Sequence, residues 1–189
     1  MFDKMKMTRR ITKIVQSWGG TPKSINRLEE FVIADIIMVQ EYSKIKGSIF
    51  TNKYICADAA LIVSFYTYDQ FKQSYISSGI CERLISMTKC AIEKVFSVNR
   101  DELDKIETNR RKYFLPLFVD NDDSTKATGE AINLFCSEYH NSGFIEYNES
   151  SPLTLLDVFN QMRIEAEAND FFTRVFSSID KRMIDFHSD

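Results

Sequence analysis

The sequence predicts an all-α protein: a single-domain bundle of about six or seven helices. Three observations carry that expectation. Residues 55–75, ICADAALIVSFYTYDQFKQSY, are apolar almost all the way round at 100° per residue. A helix without a wet face needs neighbours on several sides, so this stretch marks a central buried helix at about 52–76. The remaining segments carry apolar residues at helical spacing on one side and charges on the other. Their limits are set by recurrent helix signals, among them Thr21-Pro22, Gly47, Asn99 with Glu102, and Ser151-Pro152.

The chain of 189 residues is long enough for one domain with a real core. We therefore take 1–189 as one helical domain, with residues 1–20 set apart as a loosely attached N-terminal helix. Within that segment, Arg9, Arg10 and Lys13 oppose Ile11, Ile14, Val15 and Trp18 over 8–18, and Gly19-Gly20 ends the pattern. Thr21 is an N-cap and Pro22 a first helical residue, because the missing N–H of proline costs nothing there. The helix they start runs to about Lys46, with Gly47 as its stop. Its face carries Ile25, Leu28, Phe31, Val32, Ile36, Val39 and Tyr42, with Asp35 among them.

The central helix lines up Ile55, Ala59, Ile62 and Tyr66 on one side and Leu61, Phe65 and Tyr68 on another. Ala57, Ala60 and Ser64 form a third stripe, small enough for close approach of a neighbour. Ser77-Ser78-Gly79 breaks the chain, and 80–98 is the cleanest amphipathic stretch. Asn99 and Glu102 resemble a capping box that opens the next helix. Its stripe is Leu103, Ile106, Tyr113, Phe114 and Leu117, with Arg110 in its middle, and Pro116 is expected to kink or end it. A helix at about 124–141 follows, then a short segment, Phe144 to Tyr147, compatible with extended backbone. The long C-terminal helix is expected at about 152–186. Its stripe steps through Val158, Met162, Glu165, Asn169, Phe172, Phe176, Ile179, Met183 and Phe186, a heptad-like series.

Composition excludes several classes. A net charge of −3 supplies no general attraction to nucleic acid or anionic membrane. The longest apolar run, Ala59 to Tyr68, is about half of the ~20 residues a membrane span requires. The charged start MFDKMKMTRR contains no apolar signal core, and Cys56, Cys81, Cys90 and Cys136 have no paired spacing. The expectation is a cytoplasmic protein with reduced, packed thiols, no metal and no cofactor. Asp120-Asn121-Asp122-Asp123 looks like a calcium loop, but Thr125 replaces the required glycine and Ala131 the closing glutamate. Neither His140 nor His187 follows an acid by three residues, which removes the di-iron bundle class. Glycine-rich phosphate loops and nucleophile elbows are absent.

The polar residues set on apolar faces, Asp35, Asp58, Arg110, Glu165 and Asn169, are the candidates for a polar binding pocket. A buried charge is costly alone, so an Arg110–carboxylate pair is the natural arrangement. The basic sets Arg9-Arg10-Lys13 and Arg110-Arg111-Lys112 are more often solvated faces than an RNA or DNA surface. With catalytic motifs missing, the first reading is a non-enzymatic protein that acts through protein–protein interaction, as regulator, adaptor or complex subunit. Its partner would be another protein or a second copy. Fifteen phenylalanines and eight tyrosines, a surplus for a small bundle to bury, favour such a surface. The alternative comes from Arg182-Met183-Ile184-Asp185-Phe186-His187. It resembles the Rx4–6H motif of HEPN-type ribonucleases, which are all-helical, usually dimeric and metal-independent. The resemblance implies that Arg182 stabilises phosphate charge and His187 transfers protons. The residue after the arginine, usually polar in that family, is Met183 here.

Overall fold

The computed structural model describes residues 26–73, 78–119, 124–141 and 155–188, and every described element is helical. The helices are α1 (Asn26–Ser43), α2 (Lys53–Gln73), α3 (Ser78–Phe96), α4 (Arg100–Val119), α5 (Ser124–Asn141) and α6 (Leu155–Ser188), with a 3-10 turn at Ile49–Thr51 between α1 and α2. The expected N-terminal helix at 8–18, the caps at Thr21-Pro22 and Ser151-Pro152, and the extended segment 144–147 lie outside the described residues.

Helix α2 is the axis of the bundle. Residues 55–69 are buried without interruption. It packs on α1, α3, α4 and α6 at once, which is why it has no polar face. Ala57, Ala59 and Ala60 have essentially no exposure, so neighbouring backbones approach closely there. Buried residues of all six helices and the 3-10 turn join one hydrophobic cluster.

Side-chain pairs fix the directions. Asp35 meets Thr67 and Tyr42 meets Phe50, so α1 and α2 run antiparallel. Tyr54 meets Glu102, Asp58 meets Arg110 and Tyr66 meets Phe118, so α2 and α4 advance together. Helices α3 and α4 form an antiparallel hairpin, closed by Arg100–Glu93 near the turn and by Arg111–Glu82 further out. Between them the Lys89 ammonium lies 2.5 Å from Asp104 and 2.6 Å from Glu107. Burial acts to raise the Glu107 carboxyl, but hydrogen bonds from Lys89 and Arg111 outweigh it and hold the group below the usual carboxylate value.

The hairpin turn is tight. Ser97 follows α3 with φ +54, Val98 is buried, and Asn99 accepts the Asp101 N–H to cap α4. Helix α4 continues through Pro116 to Val119 instead of stopping at the proline. Its inward row is Leu103, Arg110, Phe114 and Phe118, while Tyr113, expected inside, is 49% exposed.

Helix α6 requires a larger correction. Its buried row is Ile164, Ala168, Phe171, Phe172, Val175, Phe176 and Ile179. The expected inward positions Val158, Met162, Glu165 and Asn169 are all exposed. The physical reason is the width of the core-facing side. From Phe171 onward Tyr42 of α1, Phe135 of α5 and Tyr66 of α2 lie against Phe171, Phe172 and Phe176 in turn, and all three phenylalanines are covered. Before that point the buried positions among the described side chains are Ile164 and Ala168, on the side opposite Met162.

Candidate functional site

The most buried charged group among the described residues joins three helices. Asp58 of α2 accepts from Arg110 Nε at 2.5 Å and from Arg110 Nη2 at 2.9 Å, a bidentate pair. Its Oδ2 also accepts the Tyr139 hydroxyl of α5 at 2.9 Å. All three residues are buried, and the Arg110 guanidinium lies 5.8 Å from the centre of the Phe114 ring. A planar cation stacked on an aromatic and forked onto a carboxylate tolerates burial better than a point charge does.

The other residues expected at a polar pocket do not join this cluster. Asp35 is buried on α1, where its Oδ2 accepts the Thr67 hydroxyl at 3.0 Å. Glu165 and Asn169 face outward on α6. Arg182 and His187 belong to the last turns of α6, but their side chains lie outside the described residues. The free thiols of Cys56 and Cys136 are buried, and burial pushes them up to about 12 and about 11, which keeps them protonated and unreactive. Cys90 is half-buried and its sulfur accepts from Arg100 at 3.1 Å. Among the described residues no group of three or more His, Cys, Asp or Glu is placed to hold a metal ion.

Helix α6 is attached by carboxylates as well as by its aromatic row. Asp170 accepts the Tyr42 hydroxyl at 2.8 Å, Asp180 accepts that of Tyr66 at 2.7 Å, and Glu167 accepts that of Ser48 at 2.7 Å. Burial, then the bond to Asp170, raises the Tyr42 phenol to about 12. Sequence reasoning missed these three acids because they sit beside the apolar row and read there as solvated charge.

The same helix carries the most exposed apolar surface described. Phe159 is 65% exposed, Met162 59% and Val158 40%. At 100° per residue the three fall within one outward sector, with Arg163 and Glu165 at its edges. At about 1.5 Å per residue the 34 residues of α6 span about 51 Å, against about 31 Å for the 21 of α2. The strip lies on the first turns, N-terminal to the buried Ile164 and Ala168.

Comparison with protein-family models, with curated proteins and with solved structures gives no match. Among the described residues, no helix is long and apolar enough to cross a membrane.

Proposed function

We propose that this protein is a non-enzymatic interaction protein of the cytoplasm, a regulator, adaptor or complex subunit, whose contact surface is the first part of α6. One observation carries the reading: Val158, Phe159 and Met162 present large apolar side chains to solvent in a single sector of the longest helix. Isolated exposed apolar residues are ordinary, but three adjacent ones that include an aromatic resemble the anchor of a helix-in-groove contact. The buried Asp58–Arg110–Tyr139 cluster serves the fold in this reading, since its groups are spent on one another.

The test is Phe159→Glu with Met162→Glu, on a surface where neither residue supports the core. The double variant should keep wild-type helicity and melting temperature. It should also lose the complex, whether that is a dimer seen by light scattering or a partner recovered on the immobilised protein. Retention of every complex by a folded double variant refutes the assignment of the surface. Labelled RNA incubated with wild type and with His187→Ala separates this reading from the ribonuclease resemblance. No His187-dependent cleavage is expected.

A further inference from the structure

We infer that Glu167 is the latch of the connection between α1 and α2, and that this connection opens as a local unit without unfolding of the bundle. The connection has a joint on one side. Lys44, Ile45, Lys46 and Gly47 are all exposed, and Gly47 has φ +82, a conformation that favours glycine. Beyond the joint the chain turns inward. Ser48, Ile49 and Phe50 are buried, and Phe50 packs against Tyr42, Phe135 and Phe171 with ring centres 5.7, 6.5 and 4.6 Å away. On the far side Asn52 accepts the Tyr54 N–H at 2.8 Å and restarts the helix.

Among the described residues, what ties this turn to α6 in polar terms is one carboxylate. Glu167 Oε2 accepts both the Ser48 hydroxyl, at 2.7 Å, and the Ile49 N–H, at 2.9 Å. The remaining polar contacts described for the turn are local: to the Ile45 carbonyl of the joint, within the turn, or to the start of α2. Ser48 Oγ accepts from Phe50 N, Thr51 Oγ1 donates to the Ser48 carbonyl, and the Cys56 thiol donates to the Phe50 carbonyl at 2.8 Å. The first two travel with the turn when it moves, whereas the bond from Cys56, which stays on α2, breaks. Loss of Glu167 leaves a buried hydroxyl and a buried amide without that acceptor, and water can supply one only if the turn opens. Opening would withdraw Phe50 from its aromatic cluster and uncover the Cys56 sulfur, which makes that thiol the reporter. On its outer side Glu167 has Arg163, 3.8 Å away and exposed, so a group that binds Arg163 acts one turn from the latch. The inference stands independently of the contact surface proposed above.

The experiment is pulsed alkylation of the native full-length chain, resolved by peptide mass spectrometry, with buried Cys136 as internal reference. Two bonds to a charged acceptor set opening about 10- to 100-fold rarer than it would be without them. Glu167→Ala should therefore raise Cys56 labelling by that factor while Cys136 stays within about twofold. Glu167→Gln keeps an acceptor oxygen and should fall between, as should Ser48→Ala, and either variant carries the test if the alanine variant fails to fold. Equal acceleration of Cys56 and Cys136 would show that the opening is global. An unchanged Cys56 rate would show that Glu167 latches nothing. Either result overturns the inference.

Discussion

Replacement of Arg110 by methionine tests the central claim about the interior, that Asp58 and Arg110 are held as a mutually dependent pair. In wild type the Asp58 carboxylate receives two bonds from Arg110 and one from Tyr139, all in a buried site. Methionine fills much of the same space but leaves a buried carboxylate with its countercharge removed. Uncompensated burial of this kind costs about 3–5 kcal/mol. Removal of the Tyr139 hydroxyl (Tyr139→Phe) takes one bond from a carboxylate that keeps its cation, a smaller loss of about 1–2 kcal/mol. Removal of both charges, Asp58→Asn with Arg110→Met, eliminates the unpaired ion, so the double variant should be more stable than Arg110→Met alone. Urea unfolding followed by circular dichroism gives each value, and for a chain of this size each kcal/mol corresponds to about 2–4 °C in Tm. An Arg110→Met loss below about 1 kcal/mol, or strict additivity of the two charge substitutions, would refute the reasoning.

Three further outcomes follow from individual side chains and their titration. Ser97→Gly should stabilise by about 1 kcal/mol in the same urea experiment, because Ser97 occupies the left-handed region at φ +54 where a Cβ is strained. Stability should decline above pH 9–10 and go on falling toward pH 12. The buried Cys56 and Cys136 thiols and the Tyr42 phenol keep their protons to about 12, about 11 and about 12 when folded, while the unfolded chain releases them from about 9 and 10, so rising pH favours unfolding. At the acid end Glu107 has the opposite sign. Its folded value is depressed below 4.5, so its contribution is present above that pH and is lost as pH falls through the folded value; Glu107→Gln should flatten that limb of a pH–stability profile.

Much of the architecture is legible in the chain because helix packing writes itself into periodicity. The unbroken burial of 55–69 corresponds to the one stretch without a wet face, and Asn99 and Asn141 bound their helices where the sequence signals put them. Arg110 could be located on an apolar stripe from spacing, but its bonds to Asp58, and the bond of Tyr139 to the same carboxylate, depend on how α2, α4 and α5 converge, which no single-helix pattern encodes. Pro116 misleads for a local reason. It lies in the last turn of α4, three residues before the end at Val119, where continuation for one more turn disturbs few backbone bonds. Tyr113 misleads because a stripe drawn through every aromatic is wider than the row the core covers. Leu103, Arg110, Phe114 and Phe118 already fill that row, and Tyr113 turns outward beside Lys112 at 5.2 Å.

The error on α6 is the informative one. A heptad drawn through Val158 and Met162 also had to pass through Glu165 and Asn169, two polar residues on a face supposed to be dry. Those interruptions are the sign that the first half of the row, as far as Asn169, belongs outside, while Phe172, Phe176 and Ile179 are buried as expected. With the inward row placed on Ile164, Ala168 and Phe171, both polar residues return to solvent at no cost, but Val158, Phe159 and Met162 are then left there with them. The sequence thus holds two conflicting preferences along one helix: polar residues that demand the outward orientation from Glu165 onward, and apolar ones that the same orientation exposes before it. A fold that satisfies the first must leave the second unsatisfied unless something else covers it. Phe159→Glu with Met162→Glu, which relieves that conflict without touching the inward row, is for this reason expected to cost no stability. A large loss of Tm in that variant would mean that the strip is already buried within the chain and is not a surface for a partner.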